Sequence, residues 1–307
     1  MSAMPETHSI CLAPSRFRRI ITAAVLFAAT SVLAQQPNGA GWIPFAEGED
    51  RPAIEVTING KETIALIDTS ISANAVSTEF AREAGIEPGP QTRHFRDIQG
   101  GKQLPLSGKF TLELAGNPVE LEHAVLMPAR GAGLIIGRPL LNVMVLQIDY
   151  PNRRLRFLPP DAAEFEGNVK IRRGRFNQPM IETHINGKRI WMMLDTSNKD
   201  VCLLTDRVVD KHGWSGPEVS VEKLRAAGLA VRSDVRTMRL DLLELGPFDI
   251  QDVIVAKPTG ESPDAQHYGA HRIHEKFGGD GILGYEIMRH FLVTMALGND
   301  TVHLYPQ

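Results

Sequence analysis

Residues 54–70 read IEVTINGKETIALIDTS, and residues 181–197 read IETHINGKRIWMMLDTS. The two segments align without a gap at an offset of 127 residues: Ile54-Glu55, Ile58 to Lys61 and Asp68-Thr69-Ser70 recur as Ile181-Glu182, Ile185 to Lys188 and Asp195-Thr196-Ser197. Each segment opens with the apolar–polar alternation of a half-buried strand. Each then turns at Asn-Gly, a strong two-residue hairpin signal because both turn positions need a positive φ. The returning runs, Thr63 to Ile67 and Ile190 to Leu194, are mostly apolar and fit strands buried on both faces. Both deliver an aspartate at the strand end.

A second pair of landmarks follows. Leu134-Ile135-Ile136-Gly137 is echoed by Gly281-Ile282-Leu283-Gly284, now at an offset of 147. Each runs into an alternating apolar stretch that ends in proline, Leu155 to Pro159 and Val302 to Pro306. The later half thus carries about twenty extra residues between its landmarks. A repeat of this size in two copies is a duplicated unit, not a solenoid. Helix-like segments follow each aspartate, Ser77 to Ala84 and Thr205 to His212, with Ser77 or Thr78 able to cap the first. Turn signals stand at Gly100-Gly101, Gly116-Asn117 and Gly246-Pro247. The expected fold is all-β: two homologous β-barrel lobes with a cleft between them. Residues 35–160 form the first lobe and 161–307 the second, linked through Pro159-Pro160 to Gly167.

The chain has 307 residues, 43% hydrophobic and 22% charged, with a formal net charge of -3. That is long enough for two self-sufficient cores. The charge supplies no broad positive field for nucleic acid. Arg16, Arg18 and Arg19 precede an apolar run from Ile20 to Ala34 that ends in Val32-Leu33-Ala34. This is the pattern of a cleaved signal peptide over residues 1–34, and the run is short for a membrane span of about 20 residues. The expectation is a protein exported to the periplasm or secreted, with no stable membrane association after cleavage. Arg18-Arg19 also admits a twin-arginine route. Cleavage removes Cys11 and leaves Cys202 alone, so no intramolecular disulfide forms, which suits a bacterial-type envelope.

An apolar pair followed by Asp-Thr-Ser at a strand end, with apolar-apolar-Gly some seventy to ninety residues later, resembles the aspartic peptidase (pepsin and retropepsin-like) family. The resemblance covers most of residues 52–159 and 178–306, as two fused retropepsin-type lobes. It implies an aspartic endopeptidase in which water is activated between the carboxylates of Asp68 and Asp195. The substrate is polypeptide, the protein a monomer, and no cofactor or metal is needed. A non-hydrolytic periplasmic peptide- or ligand-binding protein of the same fold is the alternative. Thr69 and Thr196 are implied to bond the opposite loop and lock the two together. Ile135-Ile136-Gly137 and Ile282-Leu283-Gly284 match the strand that supports each loop. A mobile hairpin covers the cleft in that family; the candidate is Phe95 to Leu104, centred on Gly100 and Gly101, with a less clear counterpart in Leu224 to Met238. The departure is Ser70 and Ser197 in place of the usual glycine: each side chain must be accommodated, and each hydroxyl could itself bond an Asp. Ser72 matches a later serine of the family, while the second half has Lys199 there, read as pointing to solvent.

The chemistry requires two carboxylates. Peptide hydrolysis needs a base to activate water and an acid to protonate the carbonyl or leaving amine, and a pair sharing one proton supplies both. At about 3 Å and an effective dielectric near 20, two negative charges repel by about 5 kcal/mol. That corresponds to about four pKa units, so the pair holds one proton over a wide range, as a property of the pair. Other constellations are weaker. His267, His271 and His274 have the spacing of metal ligands on one helix face, the basis for a third reading as a metal-dependent hydrolase, but Gly269 and polar neighbours favour a loop insertion. Cys202 reads as a buried thiol and His184 as a surface strand residue.

Overall fold

The structure, a computed structural model, describes residues 13–14, 41–97, 100–128, 131–160, 165–199, 201–220, 235–258 and 278–307. Of residues 1–34, all but Ala13-Pro14 lie outside the described residues, as do His267, His271 and His274. The described chain is nearly all β, with four short helices between strands.

Three sheets make up the fold. The first, of nine strands, is built from residues 53–77 and 88–136. The second, of eight strands, is built from residues 171–283, with Ala13-Pro14 paired at its edge to Phe248 and Asp249. The third has five strands in the order Ile43–Pro44, Arg154–Leu158, Val145–Asp149, Phe291–Ala296, Thr301–Pro306, and so draws on both halves. Its central seam pairs Leu146 with Met295 and Ile148 with Val293, and Gln147 Nε2 donates to Thr294 Oγ1 at 2.9 Å.

Both Asn-Gly hairpins form as the sequence suggests. Ala53–Ile58 pairs with Lys61–Ile67, and Pro179–Ile185 with Lys188–Leu194. The turn residues carry positive φ, 48° and 77° at Asn59 and Gly60, 47° and 73° at Asn186 and Gly187. Each asparagine also binds a neighbouring hairpin: Thr111 N–H donates to Asn59 Oδ1 at 3.0 Å, Leu242 N–H to Asn186 Oδ1 at 3.2 Å.

The strand that carries each aspartate is then flanked in the same way. Leu134–Ile136 runs parallel to Ala65–Ile67 and antiparallel to Ala75–Val76. Gly281–Leu283 runs parallel to Met192–Leu194 and antiparallel to Leu203–Leu204. Ala75–Ser77 pairs in parallel with Val125–Met127, and Cys202–Leu203 with Val255–Ala256. The helix Thr78–Glu83 follows the first strand, and Asp206–His212 the second, where Thr205 Oγ1 accepts from Val208 N–H and Gly213 closes the end in left-handed conformation. The apolar faces merge into a core that includes Ile54, Ile67, Ile136, Ile181, Leu194 and Leu283, all essentially inaccessible.

Candidate active site

The two aspartate-bearing strands end facing each other. Thr69 Oγ1 donates to Leu194 O at 2.6 Å and accepts from Thr196 N–H at 3.2 Å. Reciprocally, Thr196 Oγ1 donates to Ile67 O at 2.7 Å and accepts from Thr69 N–H at 3.2 Å. Both threonines are buried. The four bonds are fully buried, so each contributes about 1 kcal/mol net but leaves a costly orphan if one partner is removed. They clamp the residue before each aspartate to the threonine after the other, which fixes the carboxylates relative to each other.

Behind each loop stands the apolar-Gly strand. Asp68 N–H donates to Ile136 O at 3.0 Å, and Gly137 N–H to the buried Asn74 Oδ1 at 2.9 Å. A Cβ on Gly137 would come within 2.1 Å of Ala73 O, so only glycine fits there. Arg138 N–H reaches Ile71 O at 3.2 Å, and Tyr285 N–H reaches Asn198 O at 3.1 Å.

The serines after each threonine are accommodated by bonding the aspartate. Ser70 N–H and Ser70 Oγ donate to Asp68 Oδ1 at 2.8 and 2.6 Å, joined by Ile71 N–H at 3.2 Å. Ser197 N–H and Ser197 Oγ donate to Asp195 Oδ1 at 2.9 and 2.7 Å. Neither serine lies among the positive-φ residues, so the backbone at these positions does not call for glycine.

The charge of Asp68 acts on Asp195. Asp195 keeps a little solvent contact yet is densely enclosed by protein. Burial, then the negative charge of Asp68, pushes its carboxyl up to about 7, against the pull of the Ser197 and Asn198 donors. Tyr150, buried beside it, is held neutral by burial and by the Asp195 charge.

The guanidinium of Arg138 is a site element that the sequence reading missed. It is buried, donates to Ser70 O at 2.6 Å, Thr69 O at 3.3 Å and Phe176 O at 2.8 Å, and lies close enough to Asp68 to feel its charge. Burial, with the charge of Arg173, brings it down to about 10, still protonated at neutral pH. Nothing in a lone arginine after Gly137 separates it from a surface arginine; the one available signal was its position beside the loop-supporting strand.

The remaining sequence candidates fall as follows. Pro88–Asp97 and Gly100–Ser107 form the expected hairpin, but not with Gly100-Gly101 at its centre. Asp97 pairs with Gly100 and Arg96 with Gly101, so both glycines sit on the returning strand; residues 98–99 lie outside the described residues. The counterpart in Leu224 to Met238 lies mostly outside them too. Ser72 is partly exposed, Lys199 is exposed, His184 is a partly exposed strand residue, and the Cys202 thiol is buried.

Residues 54–142 match a family model described as gag-polyprotein putative aspartyl protease, a span that holds Asp68-Thr69-Ser70 and Gly137. Among solved structures, the chain is similar to the EIAV protease complexed with the inhibitor HBY-793, with 18% identity over 31% of this chain and 89% of that one and a TM-score of 0.26. No curated protein matches it.

Proposed function

We propose that this chain is an aspartic endopeptidase of two duplicated lobes, with Asp68 and Asp195 as the pair that activates water. The observation that carries this reading is the reciprocal Thr69–Thr196 clamp, which brings two Asp-Thr-Ser loops from different halves together. The aspartyl protease model matched over residues 54–142 supports it. The carboxyl pushed up to about 7 on Asp195 is suited to hold the shared proton, while Arg138 stands on the Asp68 side. In hydrolysis the charged carboxylate takes a proton from water as it attacks the scissile carbonyl, and the protonated one donates to the carbonyl oxygen. Polypeptide lies extended across the cleft, beneath the Pro88–Ser107 hairpin. The Arg16-to-Ala34 pattern supports export before action.

The decisive experiment is hydrolysis of an unfolded protein by wild type, Asp68→Asn, Asp195→Asn and the double variant. Asparagine keeps the size and cannot share the proton. Each single variant should lose about 10⁴-fold or more, and the double should lose hardly more, because groups acting as one unit are non-additive. Substantial activity in either single variant would remove that residue from the dyad. An inactive wild type that still binds peptide would favour the binding-protein alternative.

A further inference from the structure

In the hydroxyls of Ser70 and Ser197 the geometry assigns a pair of positioning residues: each ties one oxygen of its aspartate and favours its charged form, and together they hold the working pH range of the dyad down. This rests on the peptidase reading above and deepens it. The serine found where glycine is the usual residue is then a functional part rather than a tolerated change.

Three observations carry it. The Oγ–Oδ1 distances are 2.6 and 2.7 Å, in the short range of hydroxyl-to-carboxylate bonds. The arrangement occurs in both halves with the same atoms, although the flanking residues Ile71 and Asn198 differ. Asp68 Oδ1 already takes two amide donors, so the hydroxyl brings it to three. A carboxylate oxygen has two lone pairs, so an oxygen with three donors has no room for a proton. That leaves Oδ2 as the oxygen of Asp68 open to a proton. Glycine would supply only the amide donor.

Among the described residues, few other groups face the pair. Asp195 faces Asp68, the neutral Tyr150 phenol and the Asn198 amide; Asp68 faces Arg138, which in turn faces Arg93 and Arg173; Lys199 is exposed nearby in the chain. A hydroxyl that donates to the charged form lowers proton affinity, and of all these it is the contribution a single atom can remove. The Ser197 bond does act in this direction on Asp195.

The test uses the double variants Ser70→Ala/Ser197→Ala, Ser70→Gly/Ser197→Gly and Ser70→Thr/Ser197→Thr. Two readouts are followed: the pH profile of kcat/KM on unfolded protein, and the titration of the aspartate carboxyl carbons by NMR. Removing the hydroxyls should move both limbs of the profile, and the carboxyl titration, about one pH unit upward. Threonine should restore them, and glycine should behave as alanine does, which guards against a fold lost in one variant. Unmoved titrations, or activity lost evenly across pH and not restored by threonine, would overturn the proposal. If the wild type is inactive, the peptidase reading fails separately, and the carboxyl titration still decides whether the hydroxyls act on the pair.

Discussion

The loop at Asp68 and the loop at Asp195 share their bonds and differ in what stands behind them. The serine donors, the threonine clamp and the parallel supporting strand recur in both. At the residue after the glycine that both halves carry they part: Arg138 sends its guanidinium across the first loop to Ser70 O and Phe176 O, whereas Tyr285 sits half-buried against Tyr150 with ring centroids 6.1 Å apart. The two halves share the contacts that set geometry and differ in their electrostatics. A cation near one carboxylate and a buried phenol near the other make the two environments unequal, and in the proposed reaction that inequality would let two like carboxylates take the roles of base and acid.

The largest expected effect tests that inequality through stability. The Asp195 carboxyl lies above its ordinary 3.8, at about 7, so the folded state binds the extra proton across this interval. A raised group contributes stability that is complete below the unfolded pKa and is lost as pH climbs through the folded one. The parent should therefore lose up to about 4 kcal/mol from this carboxyl between pH 4 and pH 8. Asp195→Asn should escape that loss, and its advantage over the parent should grow with pH in urea unfolding. Asp68→Asn should gain less, because burial is the larger cause at Asp195 and the Asp68 charge the second. Equal gains would mean the two environments do not differ as described.

Arg138 and Tyr285 give the next comparison. Arg138→Met leaves the carbonyls of Thr69, Ser70 and Phe176 without their buried donor, and should lower stability by about 2–4 kcal/mol. Arg138→Lys should recover only part, since an ammonium cannot span three carbonyls as the planar fork does. Tyr285→Phe should stay within about 0.5 kcal/mol, the range of substitutions that disturb no buried bond. Thermal unfolding of the three variants measures this; a loss in Tyr285→Phe as large as in Arg138→Met would place an unseen support in the second loop.

Much of this arrangement was legible because it is local. The hairpins follow from Asn59-Gly60 and Asn186-Gly187, whose positive φ few other pairs adopt, and the burial of the returning strands follows from their unbroken apolar runs. What stayed illegible depends on distant pairing. The alternating stretches Leu155 to Pro159 and Val302 to Pro306 read as lobe strands, yet they lie in one sheet with a seam between Val145–Asp149 and Phe291–Ala296, some 147 residues apart. Periodicity names a strand and its faces but not its neighbour. The hairpin tip was misplaced for a related reason: Gly100-Gly101 looks like a turn, but register is set by the ladder, which pairs both glycines with Asp97 and Arg96.

The smallest comparison returns to the two asparagines. Both accept an amide from a neighbouring strand, but Asn59 also donates Nδ2–H to Ala84 O at 3.0 Å, tying the hairpin turn to the end of the helix Thr78–Glu83. Glycine tolerates the positive φ at either site, so Asn→Gly removes side-chain bonds without adding backbone strain. Asn59→Gly should therefore cost about 0.5–1 kcal/mol more than Asn186→Gly, the net worth of one partly exposed hydrogen bond. Alanine at either site should add about 1 kcal/mol to the glycine value, because its Cβ resists the left-handed conformation. Urea midpoints of the four variants separate the terms: the alanine–glycine difference reads the backbone and should be the same in both halves, while the glycine–glycine difference reads the Ala84 bond. Equal losses for the two glycine variants would show that this bond adds nothing to stability, and that the halves differ only where Arg138 and Tyr285 make them differ.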